Sequence, residues 1–249
     1  MKKLNLVKAI ALAAGLAPAM GLAELTGNVG VTNNYIWRGV TQTGDLPAVS
    51  GGLDYSHESG FYAGTWISNV NFAGPPKTDS ANDVVANDGY EQDYYAGFSG
   101  SSGDIAYDVG YIYWDYPTST AQQDSDFGEV YGSVGYDFLT VQVNYTTNSQ
   151  VEEDAVSGFS EGDIYYKATA DFPLTDDGLG LSLTAGAYAF DDDGESTGPN
   201  TEADLNYTHY NAYLTKGDFS FGVEGNDQDD SSASRQRFVV SYSKSFDLM

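Results

Sequence analysis

The chain has 249 residues, with 36 Asp and Glu against 10 Lys and Arg, a formal charge of -26, 29 Gly, 20 Tyr and no Cys. Such a charge argues against nucleic acid or an anionic lipid surface attracting the chain by charge alone, because both would repel it. The missing cysteine excludes a disulfide framework and thiolate chemistry, and the length suits one large all-β domain.

Lys2, Lys3 and Lys8 precede an apolar run over residues 9–17, and Gly21-Leu22-Ala23 presents small residues where a signal peptidase reads. This pattern predicts a secretory signal over residues 1–23, cleaved after Ala23, and a mature domain over 24–249. No later segment approaches the roughly 18 consecutive apolar residues of a spanning helix. If the mature chain resides in a membrane, it crosses as strands.

From Leu25 one parity reads Leu25, Val29, Val31, Tyr35 and Trp37, and the other Thr26, Asn28, Gly30, Thr32 and Asn34, with Arg38 at the end. That dyad predicts a first strand running to Arg38, with Tyr35 and Trp37 on its apolar face. The same alternation recurs down the chain. Strand two (49–56) sets Val49, Leu53 and Tyr55 against Ser50, Gly52 and Asp54. Strand three (61–70) is ambiguous, because Phe61, Ala63 and Ile67 compete with Tyr62, Trp66 and Val70 for the apolar face. Strands four (91–100), five (105–114) and six (129–136) follow, carrying Asp93, Asp108 and Glu129 on their polar parity. Strand seven is the clearest, with Leu139, Val141, Val143 and Tyr145 against Thr140, Gln142, Asn144 and Thr146. Strands eight (164–172), nine (181–188), ten (207–214) and eleven (219–224) put Lys167, His209 and Glu224 on the polar parity.

The last strand, 236–246, places Phe238, Val240, Tyr242 and Phe246 opposite Arg237, Ser241, Ser243 and Ser245, with Lys244 breaking the pattern. A terminal strand of this length would leave a row of unpaired backbone groups unless it met the first strand. Closure of about twelve strands into a barrel removes that edge. Connections alternate between tight turns, such as Glu58-Ser59 and Asp137-Phe138, and long acidic loops, such as 71–89 and 191–206. An up-and-down antiparallel barrel with short periplasmic turns and long extracellular loops is the expectation.

A soluble barrel would reverse the faces, with apolar side chains inside and mixed charges outside. Here the polar face is mostly Gly, Ser, Thr and Asn, and the carboxylates gather in the long loops. Aromatic residues also mark both ends of the apolar face, with Tyr55, Phe61, Tyr136, Phe172, Phe219 and Phe246 near the short turns. Tyr35, Trp37, Tyr113, Tyr145 and Phe238 lie near the long loops. Girdles of this kind are the mark of a transmembrane barrel.

The stretch from Asn28 through Thr32-Asn33-Asn34-Tyr35-Ile36-Trp37-Arg38-Gly39-Val40-Thr41-Gln42-Thr43, continuing from Gly51 through Tyr55-Ser56-His57-Glu58-Ser59-Gly60-Phe61 to Trp66, resembles a proteobacterial family of porins. The family is known as TorF, or as Gcw_chp, and covers about the first seventy residues strongly and the rest by general organisation. The resemblance implies an outer-membrane pore. It carries no substrate and no site residues, and Trp37 stands where many members have Phe.

Taken together, these readings predict a diffusion pore for small hydrophilic solutes or ions, with a polar lining that leaves a passage of about 10 Å. The lining charges are Arg38, Asp54, Asp93, Asp108, Glu129, Lys167, His209, Glu224 and Arg237. Closure would set Arg38 beside Arg237 at the seam, across from Glu129, with Asp227, Asp229 and Asp230 as the alternative neutralising partners. A transverse field follows from the first arrangement, and the carboxylates of the long loops, set against Lys77 and Arg235, are expected to concentrate cations at the mouth. The expected partners are outer-membrane lipid, lipopolysaccharide and small solutes or cations; a homo-oligomer stays open, and no cofactor or nucleic acid is expected. A non-conducting barrel that serves adhesion or envelope structure through its acidic loops is the rival reading.

Catalysis is not expected, since His57 lies at a short turn and His209 on the polar parity among tyrosines. Asp191 to Glu195 fits only part of a calcium loop, because Ala189 and Asn200 fall on two ligand positions. It reads as a solvated acidic loop. The loop over 71–89, with Pro75-Pro76 and Val84-Val85, reads first as a mobile surface loop, with folding into the pore or covering an edge of its mouth as the alternatives.

Overall fold

The computed structural model describes residues 23–71, 77–78, 84–85, 88–117, 126–150, 159–191, 205–228 and 235–249. Residues 1–22, which hold nearly all of the expected signal, the acidic run 192–195, and Asp229 and Asp230 lie outside the described residues, as does most of the 71–89 loop.

Among the described residues the chain is strands and turns. In order they are β1 (Glu24–Thr32), β2 (Ile36–Trp37), β3 (Val40–Thr41), β4 (Ala48–Ser56), β5 (Phe61–Asn71), β6 (Lys77–Thr78), β7 (Val84–Val85) and β8 (Asp88–Ser102). There follow β9 (Ile105–Asp115), β10 (Phe127–Tyr136), β11 (Leu139–Ser149), β12 (Ile164–Pro173), β13 (Leu179–Ala189), β14 (Tyr207–Lys216), β15 (Phe219–Asn226) and β16 (Arg237–Asp247). Twelve of them form one closed antiparallel barrel, and β2–β3 and β6–β7 are small separate pairs. The expected architecture is therefore observed.

Closure runs through β1 and β16, from Thr26 opposite Asp247 to Thr32 opposite Ser241. Phe246 lies inside this seam, opposite Gly27. A Cβ on Gly27 would come within 2.7 Å of the Phe246 ring, so the glycine makes room for the closing aromatic. Each of the twelve wall strands thereby has a neighbour on both sides, which is the physical reason for closure. Each of the five tight turns between wall strands holds a residue with positive φ, such as Gly60 at 94° and Asp137 at 54°.

The two faces separate as the alternation requires. Val29, Val31, Val141 and Val143 are about half exposed on the outside, whereas Ser68, Thr146 and Ser241 on the inside are almost fully covered. β5, ambiguous in sequence, turns Phe61 and Ile67 outward and Tyr62 and Val70 inward. Its inward aromatics follow from position: Tyr62 donates to Asp108 at 2.7 Å, and Trp66 packs edge-on to Tyr35 at 5.3 Å.

One element departs from expectation. The first wall strand ends at Thr32, and residues 33–47 leave the wall and turn into the barrel. Tyr35 and Trp37, expected on the lipid-facing girdle, are 5% and 8% exposed in the interior. The departure coincides with a contact far along the chain: Asn33 spends its side chain on β16, donating to the Phe238 carbonyl at 3.0 Å and accepting from the Val240 amide at 2.7 Å. The chain then departs inward.

Candidate functional site: an inward hairpin in the barrel lumen

Residues 33–47 form a small hairpin whose two-residue turn is Arg38-Gly39, between β2 and β3. Both turn residues have positive φ, 50° and 82°, as a tight hairpin of right-handed twist demands. Gln42 donates its amide to the Tyr35 carbonyl at 2.7 Å and closes the base. Asn34 and Thr43 bind it further, with Thr41 Oγ1 donating to Asn34 Oδ1 at 2.6 Å and Thr43 Oγ1 to the Leu46 carbonyl at 2.6 Å.

The hairpin tip crosses the lumen. Arg38 reaches Glu129 on β10, its Nη1 and Nη2 donating to Oε1 and Oε2 at 2.8 and 2.6 Å. Such a fork-to-carboxylate pair is among the stronger hydrogen-bonded contacts available to a protein. Glu129 also accepts from Asn144 Nδ2 at 2.7 Å and from the Tyr188 hydroxyl at 3.1 Å. Around the guanidinium stand four rings, with Tyr165 and Trp37 at 3.9 and 4.2 Å from Cζ, then Tyr188 at 5.1 Å and Trp114 at 5.5 Å. The pair is buried, at 7% and 1% side-chain exposure.

Other contacts seat the rest of the hairpin. Tyr35 donates its hydroxyl to Glu91 at 2.6 Å, and Asn226 donates to the Gly39 carbonyl at 2.7 Å. A Cβ on Gly39 would lie 2.5 Å from the His209 Cβ, so the tip backbone rests directly on β14. At the base Asp45 accepts from Arg237 Nε at 2.6 Å and from Arg235, and Asn34 Nδ2 donates to it at 2.8 Å. Partial burial pushes the Asp45 carboxyl up, but Arg237 and Arg235 more than offset this and hold it below its usual range.

The hairpin completes an aromatic layer. Trp37 meets Trp114 and Phe159 at centroid distances of 5.5 and 5.6 Å, Trp114 stacks on Phe127 at 4.6 Å, and Tyr188 stacks on Phe190 at 4.3 Å. Phe159 reaches this layer from a loop that Asp163 shapes by accepting the Phe159, Ser160 and Asp191 amides at 2.7, 2.9 and 2.8 Å. An open passage of about 10 Å was the expectation for a polar-lined barrel of this size. At the level of this layer the hairpin and wall aromatics instead pack together inside the barrel and narrow it. The half nearer the short turns differs, since inward residues there, including Asn28, Asp54, Ser133, Gln142 and Thr169, keep partial exposure.

The structure brings the nine charges singled out in the sequence to the inner side of the barrel, in two levels. Asp54 accepts from Asn28 at 3.0 Å and from the Tyr95 hydroxyl, and Asp108 accepts from Tyr62, whose hydroxyl also meets that of Tyr131. Lys167 lies on β12 between Gln142 and Gly186. Nearer the long loops, Glu224 accepts from the Tyr213 hydroxyl and faces Arg237 across β15 and β16. His209 shares a 2.9 Å hydrogen bond with the Tyr165 hydroxyl and stacks on its ring. Asp93 is buried with one carboxyl oxygen lacking a hydrogen bond. The transverse field expected from Arg38 beside Arg237 is overturned, because Arg38 joins Glu129 on the opposite wall and Arg237 joins Asp45. Neither of the two arrangements weighed from sequence foresaw these pairings.

Asp45, Tyr165 and Tyr188 are not singled out by sequence reasoning, which places Asn144 only as a polar-face residue of its strand. A signal for the hairpin exists nevertheless: Asn33-Asn34 interrupts a clean dyad, and Arg38-Gly39 sits between Ile36-Trp37 and Val40-Thr41 as a two-residue turn would. Among the described residues no group of three or more His, Cys, Asp or Glu is placed to hold a metal ion.

A closed twelve-strand antiparallel barrel, apolar outside and polar inside, with an inward hairpin across one level of its lumen, is the class of protein these features define. Residues 17–230 match the family described as bacterial protein of unknown function (Gcw_chp), and the chain belongs to it. No curated protein matches by sequence. Among solved structures, a chain from work on in-meso crystallization of membrane proteins aligns with a TM-score of 0.51 at 10% identity, over 90% of this chain and 84% of its own. OccAB4 of Acinetobacter baumannii aligns at 0.41 with 12% identity, over 90% and 62%. The outer membrane protein opdK of Pseudomonas aeruginosa aligns at 0.40 with 15% identity, over 80% and 57%. The chain thus spans about three fifths of the last two, and the likeness to the first is one of fold.

Proposed function

We propose that this chain is a porin-like outer-membrane channel for small hydrophilic solutes or ions, cation-preferring, with its passage narrowed by the inward hairpin. The observation that carries the reading is the contrast between faces. A continuous belt of half-exposed Val, Leu, Phe and Tyr surrounds the wall, while the partly exposed lumen in the short-turn half is lined by Asn, Asp, Ser, Thr and Gln. An apolar belt of that extent is stable against lipid and not against water. A secretory signal over residues 1–23 would deliver the barrel across the inner membrane. The short turns then face the periplasm and the long loops the exterior, in contact with lipid and lipopolysaccharide. The porin designation TorF fits this proposal, and no catalytic role is assigned.

Cation preference rests on the formal charge of -26 and on lumenal Asp54 and Asp108. A focused negative potential concentrates cations at the entrance. The test is a planar bilayer recording of purified protein, with the reversal potential read across a salt gradient. Discrete steps with a cation-sided reversal potential are expected.

The packed aromatic layer favours a second reading, a barrel that does not conduct and serves envelope structure or adhesion through its acidic loops. Silent bilayers from correctly folded protein would select it.

A further inference from the structure

The Glu129 socket is more complete than a simple latch requires. We propose that it is a lumenal binding site for small planar cations of the guanidinium class, with Arg38 as its tethered occupant. The inference rests on the channel reading only for how a solute arrives; binding itself needs no current.

Most of the socket belongs to the wall. Glu129 comes from β10, and its orientation is set by Asn144 of β11 and Tyr188 of β13 through bonds of 2.7 and 3.1 Å that do not involve Arg38. The ring faces of Tyr165 on β12, Tyr188 and Trp114 on β9 are wall groups too, between 3.9 and 5.5 Å from the Arg38 Cζ. These parts belong to strands of the wall and not to the hairpin. What they recognise is a flat, delocalised cation: two carboxylate oxygens accept a fork of N–H groups, and the rings cover its faces. A compact hydrated ion such as sodium matches neither feature. Arg38, by contrast, comes from the hairpin, on the two-residue turn between β2 and β3.

Arg38 occupies a left-handed backbone position, φ 50°, which glycine adopts without strain. Arg38→Gly therefore empties the socket while leaving the turn intact. The chain has three tryptophans, and Trp37 and Trp114 flank the socket, which makes intrinsic fluorescence a local probe. Guanidinium chloride is titrated at millimolar levels into protein in detergent micelles, with ionic strength held constant by sodium chloride. The expected result is a saturable change in Arg38→Gly, half-complete at a concentration about tenfold below that of wild type and of Arg38→Gly/Glu129→Gln. Arg38→Lys, which keeps a charge but not the fork, should saturate between the two. A linear response in both single variants, or equal saturation in the Glu129→Gln double variant, would overturn the proposal. Bilayer recordings separate the two readings: binding without current rejects the channel and leaves the site, while current without saturable binding rejects the site and leaves the channel.

Discussion

Glu129 sits at the meeting point of a charge pair, an amide, a phenol and several rings, so its chemistry is constrained by all of them. Replacing it by Gln removes the partner of a nearly buried guanidinium, and the expected loss is about 3 kcal/mol in urea-driven unfolding from detergent or lipid. An unchanged unfolding midpoint would show that water screens the pair. Gly39 is limited differently. With φ at 82° and a prospective Cβ 2.5 Å from His209, Gly39→Ala should strain the turn and lift the tip, at a cost of roughly 1 to 3 kcal/mol. Asp45 adds a pH dependence whose sign follows from its depressed carboxyl. The anchoring is complete above the ordinary Asp value of about 4 and is lost as pH falls through the lower value held in the fold. Tryptophan emission should therefore shift on acidification below about pH 4, and this step should be absent in Asp45→Asn.

At the scale of elements, the wall and the hairpin obey separate rules. Val143 on β11 points outward and is about half exposed, and Arg in its place should cost about 2 to 4 kcal/mol at mid-membrane depth. Ser133 on β10 points inward into the partly open half, and Ser133→Arg should cost far less. Asn144 is also inward, but it donates to Glu129 and is covered, so inward position alone does not confer tolerance. For the hairpin, the 2.7 Å bond from Gln42 to Tyr35 allows a shorter loop. Replacing residues 36–41 by Asn-Gly keeps that bond across a two-residue turn and removes both Trp37 and Arg38. Single-channel conductance should rise several-fold over wild type if the hairpin sets the constriction. Equal conductance would move the constriction elsewhere.

For the whole molecule, charge and orientation are the open physical quantities. The formal charge of -26 predicts a cation-sided reversal potential at low salt that weakens as salt rises, because screening shortens to about 3 Å at 1 M. An anion-sided potential would reject the cation preference while leaving conduction intact. The absence of cysteine makes topology measurable with single substitutions. Gln150 at the long-loop end and Ser59 at a short turn are both exposed. Gln150→Cys should label on intact cells with an impermeant reagent and Ser59→Cys should not. Labelling at Ser59 alone would invert the barrel.

The barrel was legible in the sequence because its determinants are local and repeated. A period of two, from Val29 through Phe246, states which residues share a face, and alternating turns and loops state how strands connect; closure then follows from the unpaired edge of β16. Val31 and Tyr35 share that parity, yet one faces out and the other is buried, since period two holds only while the chain stays in the wall. Where it leaves the wall depends on Asn33 bonding to β16, 205 residues away in the chain. Arg38 likewise meets Glu129 91 residues on, through a lumen that exists only after all the strands have closed. The sequence by itself therefore determined the wall, its two faces and its order. Only the tertiary structure decided what fills it, because contacts across a closed lumen join residues that no periodicity relates.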